Sequence, residues 1–211
     1  MSSLIAPVAF RLTFAALSLT AVLVQFFAVT IAQDLSIVNF FCYFTNLSNI
    51  MISIVFIISA VRLIRGQTKP SASDVAIRGG ATVYIVFVGI VFNTILADGD
   101  VGLIIPWVNV VVHMIVPIAG LVDWIIWPPR RPLPFRITFW WMIWPAVYSI
   151  FTVTRGAIDG FYPYPFFNPA VSGGYLGVAL WCVTLVGTFF VLALLVRLIG
   201  NLRARQAGYV A

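Results

Sequence analysis

The sequence predicts an all-α, polytopic integral membrane protein with six transmembrane helices and both termini in the cytoplasm. Of its 211 residues, 62% are hydrophobic and only 9% are charged, whereas a soluble domain carries about 25% charged residues. The apolar runs are roughly 20 residues long, which suits helices that cross a bilayer. This composition excludes a soluble globular domain, a disordered chain and a disulfide scaffold.

Six apolar segments fill nearly the whole chain, so residues 1–211 are predicted to form a single transmembrane domain. The predicted helices are 8–32, 38–61, 76–97, 103–127, 136–156 and 173–199. The first segment could be a signal peptide cleaved after Thr30-Ile31-Ala32, but its apolar run is too long for a typical signal core. We therefore predict an uncleaved first helix.

The links between these segments alternate in charge, which predicts the orientation. The chain has 12 Lys and Arg residues against 6 acidic residues, all of them Asp. Basic residues collect in cytoplasmic loops, and here they fall in the second link, the fourth link and the tail. The outer links carry acidic residues instead: Asp34 in the first, Asp98 and Asp100 in the third. Because the basic residues form no stripe interleaved with aromatic rings, we expect no nucleic-acid partner.

Two charged residues stand apart from this pattern. Arg155 is the one basic residue near the outer end of a helix, and a charge at such a place indicates a functional site. It can pin the outer loop through Asp159, hold a substrate carboxylate, or extend toward lipid headgroups. Asp123 lies near the cytoplasmic end of the fourth helix, where we expect it to form an interfacial ion pair with Arg130 and Arg131.

Polar residues recur at helical spacing on three of the predicted helices, so each set should share one face that points into the bundle. The second helix carries Cys42, Thr45, Asn46, Asn49 and Ser53. The fourth carries Pro106, Asn109, His113, Pro117 and Gly120. The fifth carries Trp141, Pro145, Tyr148, Thr152, Arg155 and Asp159. These faces predict a polar pocket in the outer half of the membrane.

Pro117 should affect the helix beside the histidine. A proline removes the backbone hydrogen bond to the carbonyl four residues earlier, which here belongs to His113. We expect a kink beside His113 and a carbonyl released from the helix ladder.

The residue inventory limits the chemistry. One histidine cannot form a bis-histidine haem site, and two cysteines, Cys42 and Cys182, cannot hold an iron–sulfur cluster. No zinc ligand set is visible, so we expect no metal and no cofactor. A hydroxyl nucleophile with a general base remains, and His113 is the only side chain that titrates near neutrality. Thr45 and Thr152 are both candidate hydroxyls from the spacing alone.

Three sequence blocks carry a resemblance to a known family. The first block is Cys42-Tyr43-Phe44-Thr45-Asn46-Leu47-Ser48-Asn49. The second is His113 with Pro117 and Asp123-Trp124, and the third is Arg155-Gly156 with Tyr162-Pro163-Tyr164-Pro165-Phe166. Together they resemble the androgen-inducible, six-helix membrane proteins, whose animal members hydrolyse fatty acid esters of hydroxy fatty acids, and the third block is similar to the bacterial branch in particular. This resemblance implies a bacterial cytoplasmic (inner) membrane protein.

The resemblance implies that Thr45 is the nucleophile and His113 its base in an intramembrane lipid ester hydrolase. Expected partners are membrane lipids and a lipid ester substrate. Asn46, Asn49 and Asn109 are candidate oxyanion donors, and the group that orients His113 could be Asn109, Asn49 or Tyr148. The expected substrate-binding set is Asn46, Asn49, Asn109, Tyr148, Thr152 and Arg155.

Two other functions stay open at this point. The same pocket could bind or transport lipid without chemistry, or the polar faces could serve only to hold the bundle together.

Overall fold

The computed structural model describes residues 2–97, 99 and 103–209. Within these residues the chain is helical with connecting loops and contains six helices long and apolar enough to cross a membrane. The predicted all-α, six-helix membrane fold is therefore confirmed. Asp98 and Asp100, which entered the charge argument, lie outside the described residues.

The six spans follow the predicted segments closely. They are Leu4–Ile31, Phe44–Ile64, Ala72–Leu96, Pro106–Ile126, Ile137–Asp159 and Gly174–Gln206. Span 1 comprises helix α1 (Ser2–Gln25) and a π-helical end, Phe26–Ile31. A short helix, α2 (Ile37–Phe41), precedes span 2, which is helix α3 (Phe44–Ile64). Span 3 is α4 (Ala72–Val91) with a π-helical end, Phe92–Leu96.

The remaining spans include one interrupted helix. Span 4 comprises α5 (Pro106–Val110), a π-helical segment (Val111–Ile115) and α6 (Val116–Ile126). Span 5 is α7 (Ile137–Asp159) and span 6 is α8 (Gly174–Gln206), which extends beyond the predicted end at residue 199. A 3₁₀ turn, Pro165–Phe167, lies in the loop between them.

The second predicted helix is broken where the sequence suggested a continuous one. Cys42 ends α2 and Tyr43 is extended (φ −77°, ψ 123°), so a new helix begins at Phe44. Cys42 therefore does not continue the helical face of Thr45. Thr45 lies in the first turn of α3, where a backbone N–H has no partner within the helix.

The centre of the bundle is α4, which packs against α3, α6 and α8. Its N-terminus is fixed by a capping box between Ser71 and Asp74, which explains why it begins four residues before the predicted start. Glycine on this helix allows close packing: a Cβ on Gly89 would lie 2.8 Å from the Cβ of Pro117. Spans 3 and 4 are thus in close contact beside His113.

The prediction for Asp123 was wrong in its partners and its depth. Asp123 is fully buried and pairs with Arg11 (2.7 Å) and Arg78 (2.8 Å) instead of Arg130 and Arg131. Arg11 and Arg78 come from spans 1 and 3, so one carboxylate joins three spans. Helical spacing along one helix cannot identify such partners, because they belong to other helices.

Candidate functional site

Thr45 and His113 come together between spans 2 and 4. The distance from Thr45 Oγ1 to His113 Nε2 is 3.4 Å, and both side chains are buried. A catalytic hydroxyl and its base need about 2.6–3.2 Å, and the distance is often longer without substrate. This pair has the arrangement of a nucleophile beside a general base.

The other ring nitrogen of His113 identifies the group that orients the ring. His113 Nδ1 lies 2.6 Å from Asn109 Oδ1 and 3.2 Å from the Asn109 carbonyl. Both partners are acceptors, so Nδ1 carries the hydrogen and Nε2 presents its lone pair to Thr45. Of the three residues considered from the sequence, Asn109 fills the orienting position. Phe92 stacks on the ring, with centroids 3.7 Å apart, and fixes its plane.

Tyr164 is a site residue that the sequence analysis missed. Its hydroxyl accepts a hydrogen bond from the Thr45 backbone N–H (3.2 Å) and lies 3.4 Å from Thr45 Oγ1. Burial raises the pKa of Tyr164 to about 12, so the phenol is a neutral donor at physiological pH. Tyr164 belongs to the third block of the resemblance, but only the break before α3 leaves a backbone N–H for its hydroxyl.

The polar groups can be connected in one consistent order. Thr45 donates its hydroxyl hydrogen to His113 Nε2, and His113 donates from Nδ1 to Asn109. Tyr164, while accepting from the Thr45 N–H, can donate its own hydrogen to Thr45 Oγ1 or to an oxygen placed beside it. Each donated hydrogen in this hydrogen-bond network has one acceptor, so the network is internally satisfied.

The predicted effect of Pro117 appears in a modified form. Residues 111–115 are π-helical, and the carbonyl of His113 accepts a hydrogen bond from Asn93 Nδ2 at 3.1 Å. The carbonyl that Pro117 releases from the helix ladder is thus satisfied by span 3. Asn93 also donates to the Gly89 carbonyl, so it holds the histidine-bearing turn against α4.

Asn49 joins the two helices that carry the pair. Its amide donates to the carbonyls of Thr45 (2.9 Å) and Val112 (3.2 Å), and its Oδ1 accepts from Ser18. Asn49 is fully buried, and its two amide hydrogens are already used. We therefore assign it a positioning role in place of the predicted oxyanion or substrate contact.

The other predicted residues divide between the cavity and the scaffold. Asn46 lines the cavity beside His113 and donates one amide hydrogen to the Phe40 carbonyl. Tyr148 lines a second, apolar cavity and donates to the Cys42 carbonyl at 2.7 Å. Thr152 is buried, and its hydroxyl has no hydrogen-bond partner among the described residues. Of the two candidate hydroxyls, Thr45 is the one beside the histidine.

Arg155 connects the outer loop to the segment before α3. Its guanidinium pairs with Asp159 at 2.7 Å, donates to Asn39 Oδ1 at 2.5 Å and contacts Cys42 Sγ. It also lies over the ring of Phe161, 5.0 Å from the centroid. The predicted link to Asp159 is confirmed, and these contacts favour a loop-fixing role over a carboxylate-binding one.

This arrangement predicts how substitution of Arg155 affects turnover. If the site hydrolyses lipid esters, as the resemblance implies, Arg155→Gln should lower hydrolysis of free-acid esters and of their methyl esters by the same factor, because loop contacts are lost and no substrate charge is involved. Steady-state kinetics on the two ester series measures this. A higher KM confined to the free acids would instead show that Arg155 binds a substrate carboxylate.

Two cavities meet at Thr45. The larger, about 350 Å³, contains His113 and has the polar side chains of Gln25, Asn39 and Asn46 in an otherwise mostly apolar wall. The smaller, about 50 Å³, is almost entirely apolar and lies between spans 3, 5 and 6, with Phe87 and Phe189 in its wall. Thr45 and Tyr164 line both cavities. A molecule that reaches into both cavities would therefore pass Thr45.

Among residues 2–97, 99 and 103–209, no three His, Cys, Asp or Glu side chains are grouped so that they could hold a metal ion. Comparison of the chain with protein-family models, curated proteins and solved structures finds no match.

Proposed function

We propose that this protein is an intramembrane lipid ester hydrolase with Thr45 as nucleophile and His113 as general base. One observation carries the proposal: the Thr45 hydroxyl faces the unprotonated nitrogen of His113, whose other nitrogen is held by Asn109. A nucleophile, a base and an orienting group in this order are typical of acyl transfer, and asparagine serves as the third member in some cysteine hydrolases. The sequence resemblance points to fatty acid esters of hydroxy fatty acids as substrates.

The reaction follows from the positions of the hydrogens. Thr45 Oγ1 attacks the ester carbonyl carbon while His113 Nε2 takes the hydroxyl proton. The carbonyl oxygen becomes an oxyanion, which the Thr45 N–H and the Tyr164 hydroxyl stabilise once Tyr164 turns its hydrogen toward it. The tetrahedral intermediate collapses to acyl-Thr45 and expels the alkoxide, which takes the proton from His113.

Water completes the cycle by the same route. His113 takes a proton from water as the water oxygen attacks the acyl-Thr45 carbonyl. Collapse of the second intermediate releases the fatty acid, and Thr45 Oγ1 recovers its proton from His113. The larger cavity, which contains His113, would hold the leaving alcohol and the water. The small apolar cavity would receive only the part of the acyl chain next to the carbonyl.

The first test is a hydrolysis screen with purified protein. Branched fatty acid esters of hydroxy fatty acids should be cleaved by the wild type and left intact by Thr45→Ala. Simple unbranched methyl esters in the same screen separate a branched-ester preference from general esterase activity. Equal cleavage by wild type and Thr45→Ala would remove Thr45 from the mechanism.

The Tyr164 hydroxyl has a predicted catalytic effect. Tyr164→Phe should lower kcat by about 100-fold with little change in KM, since loss of one oxyanion donor costs about 10²–10³ in kcat. Tyr162→Phe is the matched control, because Tyr162 lies in the same loop and packs on Gly156. Steady-state kinetics of both variants measures the effect. An equal loss in both would indicate a loop effect and exclude a specific role for the Tyr164 hydroxyl.

The alternative function is lipid binding or transport without hydrolysis, and one observation favours it. Tyr164 already hydrogen-bonds both the N–H and the hydroxyl of Thr45, as a purely structural helix cap would. In that case lipids would bind in the two cavities and leave unchanged. Retention of intact ester by the wild type, together with unchanged binding by Thr45→Ala, would support this alternative.

We further propose that the protein lies in the bacterial cytoplasmic membrane with both termini inside, so that Thr45 faces the outer leaflet. In a background in which Cys42 and Cys182 are replaced by Ala, single cysteines at Lys69 and Arg203 should resist an impermeant thiol reagent added outside intact cells. A cysteine at Asp159 or Asp100 should react. Labelling of position 69 from outside would reverse the orientation and move the pocket to the inner leaflet.

A further inference from the structure

A second large cavity lies at the opposite end of the bundle from Thr45, and the proposed hydrolysis does not use it. Its volume is about 450 Å³, and its wall comes from span 1, the end of α3, the start of α4 and the residues after α6. Five cationic side chains line it: Arg11, Arg62, Lys69, Arg78 and Arg130. This concentration is high for a chain with 12 Lys and Arg residues in all.

The inner wall of this basic cavity holds an excess buried positive charge. Arg11 and Arg78 are 6% and 8% exposed and share one carboxylate, that of Asp123. Within the described residues Arg11 donates only from Nε and Nη2, both to Asp123. Its Nη1 thus remains available at the cavity wall. A buried charge without a full counter-charge is costly, so an anion bound here would be favoured.

The more exposed part of the basic cavity adds more positive charge. Arg62 is paired with Asp74, Lys69 is exposed, and Arg130 lies over the ring of Tyr209 at 5.0 Å from its centroid. The five cations therefore face two carboxylates, Asp74 and Asp123, which leaves an excess of three positive charges. Guanidinium and ammonium groups in this arrangement suit a phosphate, which accepts several charge-assisted hydrogen bonds.

One wall of the basic cavity is apolar and faces outward from the bundle. Ile58 and Ile77 line it, and their side chains are 47% and 58% exposed. On a membrane protein such surfaces lie against lipid hydrocarbon. A ligand here would meet cations at one end and acyl chains at the other, which favours an amphiphile over a free anion.

We propose that this basic cavity binds the phosphate group of an anionic phospholipid. The inference is independent of ester hydrolysis at Thr45, because the two sites lie at opposite ends of the bundle. The cations also sit on the side that the charge pattern assigns to the cytoplasm, where anionic lipid headgroups attract basic residues.

Binding can be measured on purified full-length protein in neutral detergent. Phosphatidylglycerol, phosphatidylcholine and inorganic phosphate are titrated separately, and the shift in Tm and the bound lipid by native mass spectrometry are followed. We expect saturable binding of phosphatidylglycerol and a rise in Tm, with much weaker effects from phosphatidylcholine. A matching effect of inorganic phosphate at equal concentration would overturn the proposal that the ligand is a lipid and would indicate a site for a free anion.

Two pairs of substitutions separate this site from general surface charge. Lys69→Gln with Arg130→Gln should weaken phosphatidylglycerol binding by about 30-fold, the effect expected when two cations near an anionic lipid are neutralised. Arg131→Gln with Arg205→Gln removes the same charge from exposed residues outside the cavity and should leave binding unchanged. Equal weakening in both pairs, or no weakening in the first, would overturn the proposal.

Discussion

Replacing His113 by Gln should lower ester hydrolysis by about 10³-fold or more while the protein stays folded. General base catalysis contributes about 10²–10⁴ in rate, and a threonine hydroxyl is a weak nucleophile until a base takes its proton. Gln keeps a polar side chain on the same turn but cannot accept a proton at neutral pH. Thr45→Ala should reduce activity to the background rate, because no acyl-enzyme can form.

Two further variants make this prediction specific. Thr45→Ser keeps the hydroxyl and should retain measurable turnover. The double variant Thr45→Ala/His113→Gln should be no worse than Thr45→Ala alone, because residues that act as a unit are not additive. The measurement is kcat with a branched ester, alongside Tm for each variant. Near wild-type kcat in His113→Gln would contradict the assignment of the base.

The largest loss of stability is expected at the other end of the bundle. Asp123→Ala should lower the free energy of unfolding by about 3–5 kcal/mol, because removing one partner of a buried ion pair leaves charge uncompensated. Here two guanidinium groups, those of Arg11 and Arg78, lose their common carboxylate. Span 1 would also lose its polar link to spans 3 and 4. We expect a large fall in Tm in detergent and low recovery of monodisperse protein.

The control for this variant uses a second carboxylate on the same side of the bundle. Asp74→Ala removes a partly exposed pair with Arg62 and one arm of the capping box. Exposed ion pairs contribute about 0–1 kcal/mol and helix caps about 1 kcal/mol, so its Tm should fall much less. Equal destabilisation by Asp123→Ala and Asp74→Ala would show that the buried cluster of Arg11, Arg78 and Asp123 contributes no more to stability than the partly exposed pair.

Most of the fold could be predicted because a bilayer imposes simple rules on sequence. A backbone in hydrocarbon must form helices, and spans of about 20 apolar residues separated by polar links reveal them. The polar residues on spans 2, 4 and 5 had to face the bundle, which left both Thr45 and Thr152 as candidate partners of His113. The choice of Thr45 came from the family resemblance. The structure places the side chains of Thr45 and His113 in contact.

Other features depend on contacts that spacing along one helix does not reveal. The break at Cys42 and Tyr43 has no proline or glycine to signal it. It places Thr45 in the first turn of α3, where the Thr45 N–H has no partner within the helix. Tyr164 reaches that N–H from a loop more than 100 residues away. The choice of Asn109 to orient His113 could have been narrowed from the sequence, since the two residues are four apart on one helix.

Reaction of Thr45 with a fluorophosphonate probe tests the central claim most directly. A fluorophosphonate forms a stable phosphonyl ester with a hydroxyl that is activated by a base, and peptide mass spectrometry locates the adduct. The account predicts an adduct on Thr45 in the wild type, no adduct in Thr45→Ala and a strongly reduced rate of labelling in His113→Gln. An unlabelled Thr45 in folded protein that cleaves ester, or equal labelling of Thr45 in wild type and His113→Gln, would contradict it.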